Sequence, residues 1–463
     1  MKTVNLTELQ TLKQAESEEY QSIYFKSNKI GYVINKYSKS NSSAVDGSDG
    51  WLLDQQAYMQ LNVAGTIQDI HLKLKANLAG NNLLKKFAFS FTSPFYKMSA
   101  TGTVNSNQVN YSLETGTNVI SDTLQFDSPP LLSTSRRSYL LSDNIKLGEK
   151  RKVPWFDPFS LTGKESVIEY RGKESILIGG RVHKLHHFIE TFSGARVSSW
   201  LNDSGTIIKE ESPAGFVFIK EPKFKALALS TPDKEILSEV AVKLKGSMVV
   251  LSPATEKMRY HLSFPDKIEL DINGGRQSFQ DNIVTINRER LPENTSEMTC
   301  SDIGKSLKPS PYIQADNDKI RQLAKKITSP YPDKIQQLQQ LASWVYSNLE
   351  KRPVLGLPDA LTTLESGQGD CNEHAALLAA LARAAGIPTR IVVGVTYHKE
   401  AFYYHAWNEA CLGDSWVSID TTTNQLPADL THIRFIQGEM QEQVRIGGLL
   451  GRLTIEPINE TID

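Results

Sequence analysis

The chain has 463 residues, too many for one comfortable core at roughly 150 residues per domain, so two or three domains are expected. A hydrophobic content of 40%, a charged content of 22% and a formal net charge of -1 are those of an ordinary globular protein, and they exclude a general electrostatic attraction to nucleic acid or anionic membrane. The three cysteines, Cys300, Cys371 and Cys411, are too few for a disulfide scaffold, and their odd number leaves at least one thiol unpaired within a monomer.

The opening MKTVNLTELQ lacks the apolar core of a signal peptide, and no later stretch reaches the about 18 uncharged apolar residues of a membrane span. A soluble chain is expected, cytoplasmic as it stands, or extracytoplasmic or periplasmic where a leader or anchor has been removed. From about Glu19 to Leu229, alternation such as His71-Leu-Lys-Leu-Lys-Ala and runs such as Ser175-Ile-Leu-Ile are broken by Gly, Asn and Ser clusters, which predicts many short strands. Residues 1–230 therefore read as a large antiparallel β-rich domain. Within it, Asp46-Gly-Ser-Asp-Gly50 starts like a calcium loop but lacks the ligand spacing and closing glutamate, so it reads as a turn. His183, His186 and His187 cluster without a Cys or carboxylate to complete a zinc spacing.

From Pro232 to Arg290 a second β-rich stretch follows, in which Ala241-Val-Lys-Leu-Lys and Lys267-Ile-Glu-Leu-Asp-Ile alternate with period two and Gly274-Gly275 marks a turn. The Pro-, Ser-, Asn- and Thr-rich segment Leu291 to Pro311 reads as a linker, so 231–311 is expected to be a small β domain and linker. Helical spacing then appears at Ile320, Leu323, Ala324 and Ile327, and again at Ile335, Leu338, Leu341, Val345 and Leu349. No internal repeat is visible.

The strongest predicted helix starts at Cys371. Asp370 and Glu373 form a capping-box pattern before an Ala- and Leu-rich run, and Gly386 with Pro388 supplies the stop. Cys371 thus falls in the first turn, where free N–H groups and the helix dipole favour thiolate over thiol and can hold an oxyanion. The charge of Asp370 opposes this unless capping neutralises it. The plain alternative is a small buried cysteine. Cys300 and Cys411 read as structural, with a disulfide between them left open.

After the strand Arg390-Ile-Val-Val-Gly-Val395, the runs Phe402 to Leu412 and Ser415 to Asp420 flank Gly413-Asp414, a two-residue hairpin signal. With Leu412 facing Ser415, Trp407 falls opposite Asp420 and His405 opposite Thr422. His405 and Asp420 then share a face as diagonal neighbours, roughly 7–8 Å apart at the backbone and within side-chain reach. A carboxylate–imidazole hydrogen bond there would fix the tautomer and leave the other ring nitrogen for a thiol. A one-residue slip would separate them. His374 and His398 compete as bases without an orienting acid in sequence, and the alternative for His405 is packing among Tyr404 and Trp407.

Taken together, Gly369-Asp-Cys371-Asn-Glu373-His-Ala375, Arg383-Ala-Ala-Gly-Ile-Pro-Thr-Arg390, His405-Ala-Trp407-Asn-Glu409 and Trp416-Val-Ser-Ile-Asp420-Thr421 resemble the core of the transglutaminase-like superfamily, papain-related cysteine enzymes. The run Asn424 to Ile433, which includes Asp429 and His432, is similar to bacterial members. The resemblance spans about residues 315 to 455 and implies an α+β papain-like catalytic domain at 312–463. It assigns Cys371 as nucleophile, His405 as base and Asp420 as orienting acid.

The chemistry implied is acyl transfer on a peptide or glutamine-type amide through a thioester, resolved by water or by an amine. One oxyanion donor is the Cys371 N–H, with Gln368 and Trp344 as candidates for the second. Tyr404, Trp407 and Trp416 either wall the cleft or pack around the hairpin. No calcium site of the animal enzymes, phosphate loop or dinucleotide fingerprint is present, so no cofactor and no metal are expected, and the expected partner is a protein or peptide substrate. The alternative from another class is a non-catalytic binding or scaffold protein that works through its β-rich region and retains an unused triad.

Overall fold

Period-two alternation governs the first half of the chain. Along Thr66–Leu78, Ile70, Leu74, Ala76 and Leu78 are buried while Asp69, His71, Lys73 and Lys75 are exposed, the pattern of a sheet with one apolar face. The computed structural model describes residues 2–3, 16–40, 50–79, 82–116, 118–141, 145–192, 195–229, 235–248, 251–264, 268–293 and 298–458. The turn expected at Asp46 lies outside the described residues.

Two compact units emerge, Met1–Ile236 and Leu237–Asp463. Among the described residues of the first, 16 strands form one sheet. One antiparallel meander runs from Ser17–Phe25 to Asn118–Gln125 and another from Lys150–Asp157 to Phe216–Lys220. They join where Phe216–Lys220 pairs antiparallel with Ser17–Phe25. Among the described pairings of this sheet, only the short strands Lys2–Thr3 and Leu131–Leu132 are parallel, both against Lys150–Asp157. This is the large antiparallel region that the alternation implies.

In the second unit the main elements, alongside several others of two to five residues, are β1 (Lys257–Ser263), β2 (Gln277–Gln280), β3 (Ile283–Asn287), α1 (Asp318–Thr328), α2 (Lys334–Asn348), α3 (Ala360–Ser366), α4 (Cys371–Ala384), β4 (Thr389–His398), β5 (Ala401–Leu412), β6 (Ser415–Ile419), β7 (Ile433–Gln437) and β8 (Thr454–Pro457). Helix α4 is buried along almost its whole length, from Glu373 to Arg383, as an Ala- and Leu-rich helix surrounded by others must be. It packs on α1, α2 and α3 and on β5. At its end Gly386, at φ +72°, lets the Ile387 N–H return to the Ala382 carbonyl at 2.8 Å, a glycine-dependent stop.

The segment 231–311, expected as a small β domain and linker, has no core of its own in its described residues. Met258, Tyr260, Leu262, Val284 and Ile286 belong to the same buried cluster as Leu341, Leu377 and Ile391, because the apolar faces of β1 and β3 are too small to close on themselves. The alternating run at 267–272 also fails to form a strand over its described residues 268–272. There Asp271 is held individually, its N–H on the Phe435 carbonyl at 2.6 Å and its carboxylate accepting from the Gln437 N–H and Arg445. The presumed linker is fastened as well. Cys300 forms a disulfide with Cys411 of β5, with Cα atoms 6.1 Å apart, and the Thr299 N–H donates to the Gly413 carbonyl at 2.8 Å.

Candidate active site

Cys371 opens α4 under a complete capping box. The Asp370 carboxylate accepts from the Asn372 N–H at 3.0 Å, and the Glu373 side chain accepts from the Asp370 N–H at 3.0 Å. Glu373 reaches back because the preceding residue is Gly369, where a Cβ would lie 2.3 Å from the Glu373 Cβ. Cys371 is half-buried and carries the free thiol among the described cysteines. Its titration reverses the expectation from helix position alone. Burial pushes the thiol above its ordinary range, the carboxylates of Asp370, Glu373 and Asp420 push the same way, and the Ala406 N–H opposes them. The helix terminus is real, but the carboxylate that caps it sits beside the sulfur.

The β5–β6 hairpin has the expected register. Leu412 pairs with Ser415 and Asn408 with Ile419, and Gly413 takes φ +64°, as a glycine-led two-residue turn requires. His405 and Asp420 consequently meet, with His405 Nε2 3.0 Å from Asp420 Oδ2. The Asp420 side chain is 1% exposed and that of His405 10%. Asp420 carries no proton, so Nε2 must be the donor, and in the neutral tautomer that this fixes Nδ1 is the acceptor. Burial works against the Asp420 charge, but hydrogen bonds from His405 and His432 outweigh it and hold the carboxyl far below its usual range.

His432 is the residue without an assigned role in the sequence reading. Its Nε2 lies 3.2 Å from Asp420 Oδ2 and its Nδ1 3.0 Å from Asp429 Oδ1. Thr423 Oγ1 also donates to Asp420 Oδ2, and the Thr422 N–H donates to Oδ1, each at 2.7 Å. The Trp407 ring stacks beside His405 at 6.1 Å between centroids and meets His432 edge-on at 5.2 Å. The sequence signal was the Asn424 to His432 run, but placing it needs the path of the loop between β6 and β7, which no periodicity encodes.

Of the remaining candidates, Trp407 alone touches the cluster. Tyr404 points to the opposite, helix-facing side of β5, where it packs on the core. Trp416 lies under the Arg390 guanidinium, 4.0 Å from its ring centroid, four residues along the strand from Asp420 and so about 13 Å away. Gln368, half-buried just before Gly369, and Trp344, half-buried on α2, stand as candidates for the second oxyanion donor. His374 is fully buried, and burial together with the Lys351 charge pulls its pKa to about 4, so it is neutral. His398 is exposed at the end of β4, against Tyr403.

His186 and His187 point to opposite faces of their strand, one bound to Tyr170 and Asp203 and the other stacked on Trp200. They share no ligand position. Among the described residues the group with metal-ligand spacing is His405, Asp420 and His432, whose donor atoms lie within 4.8 Å of one another. Both imidazoles there spend Nε2 on the same carboxylate oxygen, which describes a hydrogen-bonded cluster more economically than a metal site.

Residues 321–421 match the family model of the transglutaminase-like superfamily. No match was found among curated proteins. Among solved structures, the chain is similar to a candidate cysteine protease from Cytophaga hutchinsonii, at 18% identity over 45% of this chain and 86% of that one, with a TM-score of 0.29. It is similar to the periplasmic domain of TgpA from Pseudomonas aeruginosa, at 18% identity over 31% of this chain and 53% of that one, with a TM-score of 0.23. A candidate protease from Parabacteroides distasonis gives 12% identity over 73% of this chain and 69% of that one, with a TM-score of 0.22. At these scores the structural likenesses carry no part of the argument.

Proposed function

We propose that the second unit, transglutaminase-like over residues 321–421, catalyses cysteine-dependent acyl transfer from a peptide or glutamine-type amide. The observation that carries this reading is the 3.0 Å contact of His405 Nε2 with Asp420, which leaves Nδ1 unspent on that carboxylate and able to take a proton from Cys371 at the helix N-terminus. In the first step Cys371 Sγ bonds to the amide carbon as its proton passes to His405 Nδ1. The oxyanion is held by the Cys371 N–H and a second donor, Gln368 or Trp344. The C–N bond then breaks, His405 returns the proton to the leaving nitrogen, and a thioester remains. Water or an amine attacks it, losing a proton to His405, which passes it to the departing sulfur.

The disulfide between Cys300 and Cys411 supports an oxidising, extracytoplasmic setting for this chemistry. Among the described residues no helix is long and apolar enough to cross a membrane. The test is incubation with a glutamine-containing protein and a dansylated amine, followed by mass spectrometry. Amine incorporation identifies a transglutaminase, and hydrolysed products identify a peptidase or amidase. Either should vanish in Cys371→Ala with unfolding unchanged. Turnover that survives this substitution, or a wild-type chain that forms no thioester with any amide or activated ester, transfers the function to the binding alternative centred on the β-rich unit.

A further inference from the structure

We infer that His432 is a positioning residue for this site: a buried imidazolium clamped between Asp420 and Asp429 that fixes the carboxylate on which His405 rests. The inference rests on the acyl-transfer reading of Cys371, His405 and Asp420 and adds two residues behind it.

The charge state follows from geometry. Each ring nitrogen of His432 faces a carboxylate oxygen, at 3.2 Å to Asp420 and 3.0 Å to Asp429. A neutral ring would turn a lone pair toward one of these anions, whereas a doubly protonated ring donates to both. The side chain is 1% exposed, so water cannot replace either partner. Burial disfavours the cation, yet the two carboxylates outweigh it and raise the pKa of His432 above the ordinary value.

The clamp is itself anchored. Asp429 Oδ1 also accepts from the Thr431 N–H at 2.8 Å and from its hydroxyl at 2.6 Å. The Arg276 guanidinium donates to the backbone carbonyls of Ala428, Asp429 and His432, fastening the loop beside β2. The groups facing His432 are thus Asp420 at the end of the hairpin, His405 and Trp407 from β5, Asp429 and Thr431 from its own loop, and Arg276 along its backbone. With Oδ2 of Asp420 held by His432 and Thr423, the acceptor for His405 stays in place whether His405 is neutral or has taken the thiol proton. A site of this kind needs little reorganisation when charge moves.

A plain structural histidine would be indifferent to these points. Nitrogen-15 NMR of the full chain at neutral pH, assigned by loss of the signals in His432→Gln, should show both ring nitrogens of His432 protonated. A neutral tautomer overturns the inference. In amide turnover, His432→Gln and Asp429→Asn should each lower kcat by about tenfold, the rate equivalent of one charge-assisted hydrogen bond, with KM unchanged. Wild-type kcat in a folded variant of either kind overturns it, and Asp429→Asn keeps the kinetic arm open where His432→Gln does not fold. Failure of the acyl-transfer reading is read separately, from turnover that survives Cys371→Ala while the NMR signature persists.

Discussion

At Cys371 two rules of electrostatics compete. The helix terminus favours the thiolate, while burial and the carboxylates of Asp370, Glu373 and Asp420 favour the thiol, and the second set wins. A thiol raised in this way gives up its proton as the sulfur attacks rather than beforehand. Labelling of Cys371 by iodoacetamide should be slower at pH 7 than that of an unstructured cysteine peptide and should climb steadily through pH 9. A rate already maximal at pH 6 contradicts this. Asp370→Asn should accelerate labelling several-fold, because it removes the opposing charge with the largest effect on the thiol while asparagine still caps the helix. His432 gives a stability signature. Its raised pKa makes its contribution fully present below the ordinary value of 6.5 and lost as pH rises through the folded value. The depressed Asp420 and Asp429 contribute above their ordinary value of 3.8 and lose it as pH falls through their lower folded values. Urea unfolding should thus show the gap between the chain and His432→Gln at its largest at about pH 4–6.5 and shrinking in alkali.

The hairpin shows why part of the site was legible in sequence. Gly413-Asp414 sets the register of β5 on β6, and that register alone brings His405 to Asp420. His432 was beyond such reasoning because it comes from the neighbouring strand's loop, and β7 pairs with β4 only after a register shift at Gly394. Gly394 lies opposite His405 on one side, and on the other a Cβ would fall 1.9 Å from the Ile433 carbonyl oxygen. Backbone cannot yield as a side-chain tip does. Gly394→Ala should destabilise the second unit by about 1–3 kcal/mol in urea unfolding, and it should cost turnover by displacing the strand that directly follows His432. Cys300 teaches the complementary lesson. Its surroundings have a linker's composition, yet the residue is buried against the hairpin turn through a disulfide whose partner is 111 residues away, and composition does not report a cross-link. Reduction should lower stability by about 2–4 kcal/mol, measured as a shift in the urea midpoint.

At the scale of the molecule, the large sheet of the first unit was readable because its alternation is local, residue by residue. The extent of the second unit was not. β1 and β3 carry ordinary strand patterns, and nothing in them says that Tyr260, Val284 and Ile286, all 0% exposed, complete a core supplied mainly by helices beyond residue 312. A fragment beginning at 312 should therefore express as an aggregating or non-cooperative species, whereas one spanning 237–463 should unfold cooperatively in circular dichroism. Cooperative folding of the shorter piece would contradict the shared core.

The pairing of Cys300 with Cys411 leaves Cys371 as the single free thiol. An oxidised preparation consequently carries one titratable thiol per chain. A colorimetric thiol count on the protein unfolded without reductant, where burial no longer slows the reaction, is then a direct measure of the concentration of competent sites, and any shortfall from one equivalent reports how much of the nucleophile has already been acylated or oxidised.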